Sequence, residues 1–252
     1  MKIALIGYGK MGKTLERLAI LRGHEVVLKI DIGNPEDFAR LSEADVAIEF
    51  TRPESAFDNL KRCLAAGVPT VCGTTGWLDK LLEIKDLCAA TDGAFLQATN
   101  FSIGVNIFFE INRRLAAMMN DYPMYDVQLT EIHHTAKLDA PSGTAITLAE
   151  GVFENIKRKE KWVCRTAANL PPSGELKGEN TEGSPTDLEI TAKRIDPAPG
   201  THIVRYYSPI DSIEITHTAH SREGFATGAI VAAEWLAAGR KGVFSMRDVL
   251  GF

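Results

Sequence analysis

Apolar positions in the first hundred residues switch repeatedly between a strand-like run and a helix-like repeat. Lys2 to Ile6 is apolar after its first residue and has the length of a buried strand. Leu15, Leu18 and Ala19 then recur at helical spacing. Glu25 to Ile30, Asp45 to Phe50, Pro69 to Cys72 and Ala94 to Gln97 read as further strands. One intervening helix is predicted to run to about Ala66, ended by Gly67, and another covers about Asp79 to Ala90. Thr51-Arg52-Pro53-Glu54 has the form of a capping box at the head of the first of these. Strands alternating with helices predict a doubly wound parallel α/β sheet of Rossmann type.

After Phe101 the pattern changes. Ile103 to about Asn120 reads as one long helix, with Val105, Phe108, Phe109, Leu115 and Met118 available for packing. Tyr125 to His133 reads as a strand, Val127 and Leu129 alternating with Gln128 and Thr130. A helix follows, carrying Ala149, Val152, Phe153 and Ile156 at helical spacing, with Pro141 and Ser142 at its start. Leu188 to Arg194, His202 to Tyr207 and Ile213 to Ala219 are three more strand candidates. With Tyr125 to His133 they predict an α+β domain whose mixed sheet has helices on one face. Leu188, Ile190, Ile203 and Ile213 are the expected apolar residues of its other face. The Gly/Pro/Ser-rich stretch from Asn169 to Pro185 reads as a loop, and about Gly228 to Ala238 as a last helix that returns to the first domain.

Composition narrows the function classes. A chain of 252 residues, 45% apolar and 24% charged, has the make-up of a globular protein with one large or two modest domains. Its formal net charge of −5 gives no reason to expect nucleic acid or an acidic membrane as partner, so anionic ligands must be held by local positive groups. Cys63, Cys72, Cys88 and Cys164 lack C-x-x-C spacing, which argues against zinc and for small buried residues in a reducing compartment. No metal is expected. Met1 to Ile6 is too short for a signal peptide and no apolar run spans a membrane, so a cytoplasmic location is expected.

Gly7-Tyr8-Gly9-Lys10-Met11-Gly12 lies between the first strand and its helix, the context in which G-x-G-x-x-G signals a dinucleotide. Gly7 permits the tight turn, Gly9 lets a pyrophosphate approach the backbone, and Gly12 lets helix and strand pack closely. Asp31, ending the second strand, stands where a carboxylate would meet the ribose. Gly73-Thr74-Thr75 and Ala98-Thr99-Asn100-Phe101 stand at the carboxyl ends of two later strands, where such sheets bind ligands. Either could also be an ordinary turn, with Asn100 tying the backbone and Phe101 in the core. Residues 1–102 and 220–252 are therefore expected to form a dinucleotide-binding domain, and 103–219 a substrate-binding and oligomerisation domain.

The most informative segment is Glu131-Ile-His-His-Thr-Ala-Lys-Leu-Asp-Ala-Pro-Ser-Gly-Thr144. Two imidazoles (His133, His134), an ammonium (Lys137) and a helix start at Ser142-Gly143-Thr144 gather in one loop. That set suits a small dianionic substrate that must be protonated. Asp139 reads as a residue that fixes the loop. His202, His217 and His220 take ordinary sheet positions.

This segment resembles the signature of the dihydrodipicolinate (4-hydroxy-tetrahydrodipicolinate) reductases, matching at Glu131, His133, His134, Lys137 and Asp139 to Ala145. The glycine hexapeptide, Gly73-Thr74-Thr75 and Ala98-Thr99-Asn100-Phe101 match family motifs too. So do Arg194, Gly200, His202, Arg222, Phe225 and Gly242 to Leu250. Two positions depart from the pattern: Lys10 sits in a first loop that lacks the family's extra glycine and arginine, and Asp196 replaces a glycine. The resemblance implies reduction of 4-hydroxy-tetrahydrodipicolinate, or its dehydrated form, to tetrahydrodipicolinate on the diaminopimelate route to lysine. It also implies NADH or NADPH as cofactor and a homotetramer joined through the mixed sheets.

Hydride addition to a conjugated C=N–C=C system drives charge to the ring nitrogen and then demands a proton at the neighbouring carbon. His133 is the expected general acid and Lys137 the group that holds a carboxylate and polarises the developing enamine. His134 would orient the substrate, while the Gly143 and Thr144 amides and the Ser142 and Thr144 hydroxyls grip its other carboxylate. Asp31 would favour NADH, with Lys10, Lys13 and Lys29 near enough to soften its repulsion of a 2′-phosphate. Two rival readings share the first domain: another nicotinamide oxidoreductase, which has no use for His133-His134-x-x-Lys137, and a dinucleotide-binding redox sensor, which needs a basic DNA-binding segment that the sequence lacks.

Overall fold

The computed structural model describes residues 1–166, 184–221 and 223–252. The first elements are β1 (Lys2–Ile6), α1 (Lys10–Leu21), β2 (Glu25–Ile30), β3 (Val46–Glu49), α2 (Pro53–Ala65), β4 (Thr70–Cys72), α3 (Leu81–Ala90) and β5 (Ala94–Gln97). Next come α4 (Ile103–Met119), β6 (Asp126–His133), α5 (Gly143–Asn155), β7 (Lys161–Thr166) and β8 (Asp187–Arg194). The chain closes with β9 (Gly200–Tyr207), β10 (Ser212–Ala219), α6 (Glu223–Ala237), β11 (Gly242–Phe244) and α7 (Met246–Leu250). It forms two units, Met1–Asn106 with Glu223–Phe252, and Ile107–Arg222.

In the first unit six parallel strands are ordered β11-β5-β4-β3-β1-β2. Strands β1 and β3 are apolar on both sides because both faces are covered. Ile3, Leu5 and Ile48 pack toward Leu15 and Ala19 of α1 and Ile230 of α6. Ala4, Ile6 and Ala47 face the opposite way, with Leu28, Ile30 and Cys63. The chain leaves β1 in one direction to β2 and returns past it to β3, so a crevice opens at the carboxyl ends of β1 and β3.

The expected capping box at Thr51 does not form. Arg52 is the N-cap, without a side-chain bond, and Pro53 at the first helical position removes one donor that would otherwise need a partner. The Thr51 hydroxyl instead donates to Glu49, a carboxylate sealed at the end of β3. Two strands had no counterpart in the expectation, β7 and the three-residue β11. The latter becomes an edge strand by pairing with β5 and donating from Gly242 N–H to Gly93 O at 2.8 Å.

The second unit holds a mixed sheet ordered β10-β9-β6-β8-β7, antiparallel from β10 to β6 and parallel from β6 to β7. Alternate residues of β6 are buried, and α5 and α4 from Ile107 onward belong to the same unit. Asn112 of α4 donates to Leu148 O of α5 at 2.9 Å, and Phe108 of α4 lies 6.0 Å from the His217 ring of β10.

Register corrects the expected open face. Leu129 pairs with both Ile190 and Val204, so Leu188 and Ile190 point into the buried side while Ile203 points away. Ile213 lies opposite buried Tyr206 and shares its side, at the sheet edge. A one-residue step reverses a side chain's face, and the four isoleucines and leucines were never on one face. The expected loop over 169–185 lies almost wholly outside the described residues, as does Arg222. No helix among the described residues is long and apolar enough to cross a membrane, and the four cysteines are buried and unbridged.

Candidate active site

Alternation along β6 sends Glu131 and His133 into the covered side of the mixed sheet. Across the sheet Glu131 stands opposite His202 on β9, and His133 opposite Arg194 on β8. Four polar side chains thus share an otherwise apolar layer, and all four are buried.

Glu131 is the centre of the group. Its Oε1 accepts from Arg194 Nη2 at 3.1 Å and its Oε2 accepts from the Ser142 amide at 2.9 Å. His133 Nδ1 and His202 Nε2 lie 3.7 and 3.8 Å from the same Oε2, beyond hydrogen-bond length. Glu131, His133 and His202 offer three ligand atoms within 4.8 Å of one another. A cation there would compete with the Arg194 guanidinium that already compensates the carboxylate. The two rings meet edge to face at 5.0 Å.

Burial sets the charge of both imidazoles. It pushes the His133 pKa down to about 4, a fall that the Glu131 carboxylate opposes and the Lys137 and Arg194 cations reinforce. Burial likewise takes His202 down to about 3, helped by His133, His217 and Lys137. The sequence predicts an imidazole that titrates near neutral pH; in this site burial keeps both rings neutral at pH 7. His134, one residue past the inward-facing position, is half-buried at the strand end.

The loop after β6 is held from below by Arg194, which donates to Lys137 O at 3.2 Å and Asp139 O at 2.6 Å. Lys137 Nζ lies 2.7 and 2.9 Å from the two carboxylate oxygens of Asp139. Asp196, the departure from the family pattern, accepts from Thr135 N–H at 3.1 Å and from its hydroxyl at 2.6 Å, fastening the opposite side of the loop.

Ser142 caps α5 as expected, its Oγ accepting from Ala145 N–H at 3.3 Å. That oxygen also hydrogen-bonds His202 Nε2 at 3.1 Å and the residue is buried, so the hydroxyl expected to grip a ligand is engaged within the protein. Gly143 is exposed, with open space where a side chain would stand, and Thr144 is half-buried. Gly143 is thus the exposed residue at this helix start.

In the first unit, Gly7 has φ +90°, and a Cβ there would meet Phe50 O at 2.0 Å. A Cβ on Gly12 would stand 2.3 Å from Gly7 O, whereas Gly9 faces open space. Tight turn, close packing and room for a ligand fall on the three glycines in that order. Asp31 turns one oxygen to Tyr8 N–H (3.0 Å) and the other to Ile32 N–H (2.8 Å). A cleft of about 510 Å³ takes in Gly7, Gly9 and Asp31 with Ile32, Arg52 and Asn59. Phe38 and Arg62, stacked at 4.7 Å, form another part of its wall. These residues fit a dinucleotide: a turn with open space at Gly9, a helix start at Lys10 and a carboxylate, Asp31, following β2 in the same cleft.

Lys29, one of three lysines expected to soften Asp31, pairs instead with Glu16, which also accepts from the Tyr8 hydroxyl. Lys10 is exposed and Met11 packs on the core. Gly73, Thr74 and Thr75 follow β4; Thr74 Oγ1 accepts from Thr51 N–H at 2.8 Å and Thr75 is exposed. After β5, Ala98 packs on the core and Thr99 is exposed. Asn100 Oδ1 accepts from Ser102 N–H at 2.9 Å, and the Phe101 ring is sealed in the core beside Phe50. The turn and core readings of Asn100 and Phe101 describe these contacts.

Two family models match successive parts of the chain: "Dihydrodipicolinate reductase, N-terminus" over residues 1–101 and "Dihydrodipicolinate reductase, C-terminus" over 104–250. The chain belongs to the dihydrodipicolinate reductase family. Among curated family members it is 46% identical to the 4-hydroxy-tetrahydrodipicolinate reductase of Christiangramia forsetii, over 99% of this chain and 98% of that one. It is 35% identical to the enzyme of that name from Methanopyrus kandleri, over 88% and 77% of the two chains. The fold of this family member matches a dipicolinate-bound dihydrodipicolinate reductase from Paenisporosarcina sp. TG-14, with TM-score 0.74, 23% identity and 98% of each chain covered. Within the family signature, sequence reasoning named His133, His134, Lys137 and the α5 start but gave no role to Glu131 or Arg194 and set His202 aside.

Proposed function

We propose that the chain reduces 4-hydroxy-tetrahydrodipicolinate to tetrahydrodipicolinate with NADH or NADPH, on the diaminopimelate route to lysine. The observation that carries this reading is the loop from Glu131 to Thr144, which holds a buried neutral imidazole at His133, a lysine at Lys137 and an exposed glycine, Gly143, at the start of α5. Met1–Asn106 with Glu223–Phe252 would hold the dinucleotide and Ile107–Arg222 the substrate.

A bound nicotinamide supplies the hydride. The protein's residues handle charge and proton. A dicarboxylate arriving beside His133 brings two negative charges into a poorly solvated site, which raises the proton affinity of the ring. His133 therefore becomes an acid when substrate is present, and gives its proton to the carbon next to the reduced centre. Lys137 exchanges Asp139 for a substrate carboxylate. The Gly143 and Thr144 amides receive the other at the positive end of α5, and His134 orients the ring.

Three finer readings accompany this. Asp31 makes NADH equal to or better than NADPH, the chain works in the cytoplasm, and it assembles as a homotetramer through the open side of the mixed sheet, where Ile132 and Ile203 are half-buried. Light scattering that gives a monomer at micromolar concentration would contradict the tetramer. Cofactor oxidation coupled to the synthase that makes the substrate tests the activity. A thermal shift with pyridine-2,6-dicarboxylate tests the binding site separately, and no shift at millimolar ligand would count against the dicarboxylate.

A further inference from the structure

His133 has two ring nitrogens in different surroundings. Nδ1 is buried, has no hydrogen-bond partner and faces Glu131 Oε2 at 3.7 Å. Nε2 points toward Gly200, where a Cβ would stand 3.2 Å away, so the glycine leaves the space at Nε2 clear. A neutral imidazole carries one proton, and which nitrogen holds it is set by the partner of the other. Glu131 Oε2 is the carboxylate oxygen beside Nδ1. The same oxygen accepts from the Ser142 amide at the start of α5, and its twin oxygen accepts from Arg194.

We propose that Glu131 is a positioning residue of the reduction: its carboxylate holds the proton of His133 on Nδ1, aims Nε2 as the atom that exchanges a proton with substrate, and anchors the Ser142 end of α5 to the same point. The inference rests on the reductase reading for its kinetic consequences, but not for the state of the ring. Small inward movement of either side chain turns the 3.7 Å approach into a hydrogen bond, and the ring gains a counter-charge as it becomes protonated. This is the logic by which an acid group orients a catalytic imidazole without touching substrate.

The charged and titratable groups facing His133 are Glu131 on its own strand, Lys137 and Asp139 on the loop, Arg194 on β8 and His202 on β9. Glu131 is the nearest of them that favours the protonated ring, so removing its charge lowers the pH at which His133 can serve as an acid. Glu131→Gln preserves the length and one acceptor oxygen, enough for either the Ser142 amide or Arg194 but not for both, since they donate to different oxygens of Glu131. Its kcat is expected to fall about 10–100-fold, with KM within about threefold and the alkaline limb of kcat moved about one unit down in pH. Glu131→Asp should bring that limb back toward the wild-type position.

A kcat loss with the limb unmoved would mean that Glu131 only supports the fold, and a kcat within about twofold of wild type would remove the proposal altogether. Should the Gln variant not fold, ¹⁵N NMR of the histidine-labelled wild-type protein without substrate decides. A His133 proton on Nδ1 is expected, and a proton on Nε2 overturns the inference. Failure of the reductase reading would show differently, as a wild-type protein without turnover whose His133 tautomer is still the expected one.

Discussion

The Arg194 guanidinium lies 3.1 Å from Glu131 Oε1, and solvent reaches neither side chain. Arg194 uses its other donors on the carbonyls of Lys137, Asp139 and Lys193, so one planar cation fastens β6, β8 and the loop between β6 and α5. Removing one partner of such a pair leaves an uncompensated charge in the interior.

Arg194→Met should therefore destabilise the protein by about 3–5 kcal/mol, read as a lower urea midpoint. Arg194→Lys should recover little of this, because an ammonium cannot supply the fork that reaches four acceptors. In any folded fraction, KM for substrate should rise, since Lys137 and Asp139 lose their backbone support. An Arg194→Met protein within about 1 kcal/mol of wild type would show that the buried pair contributes little.

Asp31 bears on the cofactor. Its two oxygens face the Tyr8 and Ile32 amides at the edge of the cleft, and Lys29 is drawn away to Glu16. A 2′-phosphate near this carboxylate meets repulsion with little compensation from that lysine. NADH should work at least as well as NADPH, and Asp31→Asn should move the ratio of kcat/KM values toward NADPH by about tenfold, or roughly 1.4 kcal/mol. A wild-type preference for NADPH beyond about tenfold would mean that Asp31 does not face the ribose.

Stability should fall as the solution is acidified from about pH 6.5. His133 and His202 titrate at about 4 and about 3 in the folded protein, against 6.5 for a solvated ring. The unfolded chain therefore binds protons in that window which the folded chain refuses. Their contribution is complete above the unfolded value and lost as pH falls toward the folded ones, at up to about 1.4 kcal/mol per pH unit for each ring. His202→Gln should flatten the decline between about pH 6 and 4 in thermal melts. An unchanged slope would show that carboxylates alone set the acid sensitivity.

The two sheets and most helices were legible because their signals are local. Lys2–Ile6, Glu25–Ile30 and Ala94–Gln97 are strands over the spans their apolar runs predict, and Ser142 caps the helix it was expected to cap. Other features depend on distant partners. Strand β11 is too short to carry a pattern and exists through its pairing with β5. Thr51 fails as a capping residue because Glu49 captures its hydroxyl. Arg194 and His202 join the site through register between strands distant in sequence, yet a trace is present: Leu188, Ile190, Ala192 and Arg194 share a period of two, as do His202, Val204 and Tyr206. A charged or polar residue continuing an apolar face is a buried polar group that needs a partner.

His133 and Lys137 should differ in what they contribute to turnover. His133 is neutral and buried before substrate arrives, so its part in binding is small and its part in proton delivery large. His133→Gln keeps much of the shape but has no proton to give near pH 7, and kcat should fall about 10²–10⁴-fold with KM little changed. Lys137 is a half-buried cation whose ammonium sits 2.7 Å from Asp139. Its exchange of that partner for a substrate carboxylate contributes to ground state and transition state alike. Lys137→Ala should lower kcat and raise KM together, and it should also leave Asp139 without its cation beside an incoming anion. Because both side chains act on one redistribution of charge, the double variant should lose no more than the product of the single losses. Nicotinamide affinity should stay near wild type in all three proteins, since Gly7, Gly12 and Asp31 belong to the other unit. If His133→Gln kept more than about a tenth of wild-type turnover, above the range for a positioned acid, the proton would come from solvent or another residue. Steady-state kinetics at saturating cofactor, with substrate made in place by the synthase, separates these outcomes.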